Sequence, residues 1–287
     1  MVLDQIAADA AFVMPPDACD AHCHVFGPQA VFPYAPERPY TPQDATKEDL
    51  ARLHRRLGIS RTVIIQPACY GTDHSALLDA IADDPGRRRG IAILDARADE
   101  DEVARLHEGG VRGVRFNFVG HLGERPDAGT IGKIVDLVGP FGWHVALHLN
   151  ADDLSANAQI FELPVPIVID HMARLDAAAG LDQRPLCDLL RLLDRENCWI
   201  KVSGADRVSA RRGTLDDAAQ MASILLEAAP DRVLWGTDWP HPNVAYLPDD
   251  ELLAQLVPTI ARTRDKRRRM LIDNPQRLYG FDQSEVA

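Results

Sequence analysis

The chain has 287 residues, a formal net charge of -12, 46% hydrophobic and 26% charged residues. That length allows one large α/β domain or two small ones, with enough chain to bury a full core. The negative charge argues against generic binding to nucleic acid or an anionic membrane, and the locally basic run 262–269 reads as a solvated helix face. Five cysteines (19, 23, 69, 187 and 198), with no CxxC pair, argue against a disulfide framework or a zinc knuckle. The start carries Asp4 and Asp9 rather than a basic-then-apolar signal, and no stretch approaches the ~20 apolar residues of a membrane span, so a cytoplasmic location is expected.

In chain order, eight β-rich runs are predicted: 19–25, 61–67, 90–95, 111–118, 143–150, 166–171, 198–204 and 232–238. Several are continuously apolar, such as Thr62-Val63-Ile64-Ile65 and Ile167-Val168-Ile169, which suits strands covered by helices on one side and filled on the other. Between them, helices are predicted over 46–57, 73–84, 186–193 and 215–226. Strand then helix, repeated, predicts one (β/α)8 TIM-like barrel over 1–287, regular or distorted. A doubly wound open sheet would need a glycine-rich phosphate loop after the first strand, and there is none. The long proline-rich loop 26–46 would cross the barrel mouth.

Active sites of such barrels stand at the C-terminal strand ends. His22 and His24, two apart on the first strand, share a face and can converge on one point, where Asp238 of the last strand meets them if the barrel closes. His148 and His171 end the fifth and sixth strands, Arg115 and Asn117 share a face of the fourth, and Lys201 and Ser203 lie on the seventh. Two imidazoles and a carboxylate can hold a divalent metal, activate water, or both. His54, His74, His107 and His144 are read as surface or packing residues on helices or outward positions.

The segments Asp20-Ala21-His22-Cys23-His24-Val25-Phe26-Gly27-Pro28, Arg38-Pro39-Tyr40-Thr41-Pro42, Arg112-Gly113-Val114-Arg115-Phe116-Asn117-Phe118, Ile169-Asp170-His171-Met172 and Trp235-Gly236-Thr237-Asp238-Trp239-Pro240 resemble the amidohydrolase superfamily. The likeness is to its amidohydrolase-2 branch, which holds pyrone-dicarboxylate, sulfomuconolactone and sugar lactonases. The resemblance implies a hydrolase that opens a small carboxylate-bearing lactone, with His22, His24, His171 and Asp238 catalytic. It implies substrate contacts from Tyr40, Arg115, Arg174 and Arg207, to which Asn117, His121 and His241 are added from their places near the strand ends. Where the branch's pyrone-dicarboxylate enzyme works without metal, this chain departs from it: His121 stands where a further arginine is expected, and His148 where tyrosine is. His22, His24, His148 and Asp238 then form a mononuclear metal set, with zinc the expected ion. A sugar lactonase, a metal-dependent decarboxylase of an aromatic or muconate acid, and a non-catalytic ligand-binding barrel are the alternatives.

Overall fold

A computed structural model describes residues 11–123 and 125–282; Asp4 and Asp9 lie outside the described residues. Eight parallel strands follow one another in sequence order around a (β/α)8 barrel. They are β1 (Cys19–Cys23), β2 (Arg61–Ile65), β3 (Arg88–Ala92), β4 (Val111–Asn117), β5 (His144–His148), β6 (Ile167–Ile169), β7 (Cys198–Lys201) and β8 (Val233–Leu234). Three backbone bonds complete the ring between its ends: Ala21 N–H to Trp235 O (2.9 Å), Asp238 N–H to His22 O (2.8 Å) and His24 N–H to Trp239 O (2.7 Å). Closure is therefore made by the very residues that bear the expected site.

Helices cover the outside. α1 (Lys47–Leu57) starts at Thr46, whose side chain accepts from Asp49 N–H in a reciprocal capping box, and stops at Gly58 in the left-handed region (φ 77°). α2 (Ser75–Ala82), α3 (Glu100–Glu108) and α4 (Ala128–Val138) follow β2, β3 and β4. α5 (Arg184–Leu193) precedes β7, and α6 (Ala205–Val208) and α7 (Asp216–Ala228) follow it. Leu189, Leu225 and Ile134 pack against outward strand residues such as Val145 and Leu147 in one large core. A second apolar cluster, with Val63, Ile65, Ile91, Ala146, Val168 and Leu234, fills the barrel interior, with Tyr279 and Phe281 packed against it.

The strand–helix alternation lapses after β5. There the chain runs through short 3₁₀ turns over Ala151–Asp153 and Ser155–Glu162, broken at Asn157, in place of a full helix. The basic run forms a short exposed helix, Arg264–Arg268, and Lys266 and Arg269 pair with Glu227 and Asp231. Among the described residues no helix is long and apolar enough to cross a membrane.

Candidate active site

The site begins with an irregularity in β1. Cys19 and Ala21 belong to the interior cluster, yet His22 and His24 also reach interior partners. A register shift between Asp20 and Cys23 breaks the two-residue alternation and lets the strand present both sets inward. Asp238, past the end of β8, has a left-handed backbone (φ 67°). Its carboxylate is wholly buried. Oδ1 has no hydrogen-bond partner and lies 3.6, 3.4 and 3.8 Å from the Nε2 atoms of His22, His24 and His171. Oδ2 accepts from Arg207 Nε at 2.7 Å, and the same guanidinium donates to Pro242 O at 2.8 Å. The four residues expected to be catalytic thus meet at one oxygen atom.

The rings are oriented from behind. His24 Nδ1 donates to the carbonyl of Ile65 (2.8 Å), since a carbonyl only accepts, and this turns its Nε2 inward. His171 Nδ1 is 3.0 Å from Ser203 Oγ. Behind His22, Asp170 Oδ1 stands 3.4 Å from Nδ1. Lys201 Nζ lies 3.1 Å from that oxygen and 3.3 Å from the same ring nitrogen, and Arg115 Nε is 3.2 Å from Asp170 Oδ2. Lys201 is therefore inside the barrel, in a buried ion cluster below the imidazoles.

Burial decides the charge states. It pushes His22 down to about 4, and His148 and His171 well below the usual imidazole range, so all three are neutral at pH 7. Burial alone would raise the Asp238 carboxyl, but Arg207 and then His171 outweigh it and hold the group well below its ordinary range. Asp170 behaves likewise, with Lys201 the main opposing charge. Asp206, unmarked in the sequence reading, has its carboxyl raised by burial and by the charge of Asp238.

A pocket lies above this cluster, walled by Tyr40, Arg115, His121, His148, Arg207 and Asn243 among others. Burial, followed by nearby Cys69, raises the Tyr40 phenol, so it stays a proton donor. Arg174 does not line the pocket, but its buried Nη1 is unpartnered and its charge, after burial, lowers His121. Asn117 also stands off the pocket wall, with Oδ1 unpartnered. His241 turns aside: Nε2 lies 3.0 Å from Asp250 Oδ1, and the ring borders a neighbouring groove with Phe26 and Pro42.

The donor set suits a divalent ion. His22, His24 and Asp238 each offer a ligand atom within 4.8 Å of the others. Their 3.4 and 3.6 Å separations are near the ~3.3–3.5 Å that zinc bonds of ~2.0–2.2 Å impose in a tetrahedron. His22 Nε2 and Asp238 Oδ1 are buried polar atoms with no other partner. His148 lines the same pocket with both nitrogens unpartnered, but among the described residues it joins no such group; its ring stands edge-on to His171 at 5.2 Å.

The outward reading of His144 is corrected, while His54, read on a helix as a surface or packing residue, is a packing one. His144 lies in β5 with His148 and points inward, its ring packed where a side chain on Gly113 would otherwise sit and edge-on to Tyr279. His54 is buried under α1, with Nε2 3.1 Å from Asp20 Oδ2. The period-2 rule held the signal for His144, since 144, 146 and 148 share a face. Nothing local marked Asp20 and Thr237, whose bond spans 217 positions.

Comparison with known proteins agrees with this geometry. The amidohydrolase family model matches residues 19–281. The chain is 41% identical to a 2-pyrone-4,6-dicarboxylate hydrolase of Comamonas testosteroni, over 93% of this chain and 92% of that one. It is 39% identical to a 4-sulfomuconolactone hydrolase of Rhizobium radiobacter, over 96% and 93%. The crystal structure of a probable 2-pyrone-4,6-dicarboxylic acid hydrolase from Acinetobacter baumannii, with citric acid bound, superposes with a TM-score of 0.82 at 30% identity, covering 92% of this chain and all of that one. A closed barrel with this cluster at its mouth, matched over nearly its whole length, makes the chain a member of the amidohydrolase family.

Proposed function

We propose that the chain hydrolyses a small anionic lactone, a pyrone dicarboxylate or a muconolactone, with Asp238 as the general base. The observation that carries this reading is Asp238 Oδ1: a buried, ionised and unpartnered oxygen facing three imidazoles, of which His22 and His171 are neutral, beside a pocket lined with arginine. The names of the relatives support the same class of bond.

Asp238 takes a proton from water as the water oxygen bonds to the lactone carbonyl carbon. The developing oxyanion is met by the Tyr40 hydroxyl, the Arg115 guanidinium and the His171 edge of the pocket. Collapse breaks the ring C–O bond, and the proton held by Asp238 passes to the leaving oxygen, directly or with His171 as relay. Arg174, with His121 beside it, holds the substrate's anionic group. His22, His24 and Asp238 would hold a divalent ion, zinc being the first choice for this donor set, and when bound it supplies a Lewis acid and lowers the pKa of water towards ~7.

The test is ring opening of a pyrone dicarboxylate, a muconolactone and an aldonolactone, followed by absorbance and proton release. Asp238→Asn should cut kcat by at least ~10² with the fold retained. Near-wild-type turnover in that variant removes the base. A preference for aldonolactones would move the substrate to sugars. Metal content after purification without added metal, and activity before and after chelation, tests the His22, His24 and Asp238 set.

A further inference from the structure

Asp20 lies fully buried on β1, two residues before His22, and is not part of the pocket wall. Four donors converge on its carboxylate. Oδ1 accepts from the backbone N–H groups of His22 (3.1 Å) and Thr237 (3.0 Å), and Oδ2 accepts from the Thr237 hydroxyl (2.6 Å) with His54 Nε2 at 3.1 Å. The Thr237 hydroxyl oxygen in turn accepts the N–H of Trp239 at 3.0 Å. Both chain neighbours of Asp238 are therefore tied to one Asp20–Thr237 unit. Gly236 makes the close approach possible: a Cβ there would stand 2.6 Å from His22 N and 3.0 Å from Asp20 Oδ1.

Asp238 itself sits at φ 67°, a conformation that a non-glycine residue keeps only where its surroundings over-determine it. We infer that Asp20, acting through Thr237, is the positioning residue of the base: it holds the 237–239 backbone so that Asp238 Oδ1 faces His22, His24 and His171. The link continues outward. His54 connects Asp20 to α1, the helix that ends the loop bearing Tyr40, so the base and the mouth loop share one anchor.

The inference rests on Asp238 as base, and its test separates the two. Thr237→Val removes the hydroxyl at constant shape, and Thr237→Ser keeps it. With a lactone substrate, Thr237→Val should lower kcat by at least ~10-fold with KM within ~2-fold, and Thr237→Ser should recover most of the loss. Asp20→Asn, which keeps the shape but loses one acceptor, should show the same split and serves if Thr237→Val does not fold. A Thr237→Val enzyme with wild-type kcat, whatever its Tm, or a serine variant as slow as the valine one, overturns the role. Crystal structures give a readout free of activity. In Thr237→Val, Asp238 should leave its left-handed backbone, or Oδ1 should withdraw from His24 Nε2; an unmoved Asp238 overturns the inference even if no lactone is turned over. Failure of the wild type on every lactone would sink the functional reading alone.

Discussion

At the scale of single residues, the two oxygens of Asp238 divide the work: Oδ2 is held by Arg207, and Oδ1 faces the imidazoles. This changes what Arg207 can do. The sequence places it on the substrate, whereas its guanidinium already donates to Asp238 and to Pro242 O. Arg174 keeps a buried Nη1 without a partner, and a charge-assisted bond from it to an anion is worth ~1.5–3 kcal/mol. The two arginines should therefore give opposite kinetic signatures. Arg174→Ala should raise KM for an anionic lactone roughly 10–100-fold and leave kcat within a few-fold. Arg207→Ala should lower kcat and move the acidic limb of the rate profile to higher pH, because the charge that holds the Asp238 carboxyl down is gone. Steady-state kinetics of both variants from pH 4 to 8 checks the pair; exchanged signatures would exchange the roles.

At the scale of elements, what could be read from the chain was whatever is local or periodic. Continuous apolar runs marked the strands, and Thr46 and Gly58 bounded α1 because caps are chemistry between neighbours. The missing helix after β5 and the inward turn of Cys19 and Ala21 together with His22 and His24 were not legible. The first is a 3₁₀ path ended by Leu163-Pro164, and the second depends on a bulge whose register only the partner strand fixes. Least legible is the segment after β6. His171, Met172, Ala173 and Arg174 all have φ between 52° and 54°, a left-handed turn that carries together the imidazole proposed as catalytic and the arginine proposed to bind the anion. Such backbone costs ~1–2 kcal/mol per residue, whereas the buried methyl of Ala173 contributes only ~0.8 kcal/mol. Ala173→Gly should accordingly leave stability unchanged or raise it slightly, as read from the urea midpoint. A loss of ~2 kcal/mol would mean that the turn is not strained.

At the scale of the whole molecule, closing the barrel removes a set of histidines from water and gives the fold an acid limit. Burial pushes His22 to about 4 and His144 to about 3, and takes His148 and His171 well below their usual range. In the unfolded chain each titrates near ~6.5. Between that value and the folded ones the unfolded chain binds more protons, so stability falls as the pH drops. Each group contributes up to ~1.4 kcal/mol per pH unit across its window, and four acting together make the fall steep. Asp170 and Asp238 have the same sign at lower pH: their depressed folded values stabilise the fold above ~3.9 and that contribution is lost only as the pH falls further. The decline from pH 6.5 to 5 is therefore a histidine effect. His144 offers a clean control, since it lies below the pocket against Gly113 and Tyr279, outside the pocket wall. Urea unfolding at pH 7.5, 6.5, 5.75 and 5 should show stability level at first and then falling steeply. In His144→Phe the fall should be shallower by about one proton's worth of slope, because one site that the unfolded chain protonates and the barrel does not has been removed. A wild-type curve that is flat down to pH 5 would mean that these imidazoles are solvated or charged in the fold, and the neutral ring around Asp238 could not then be as described.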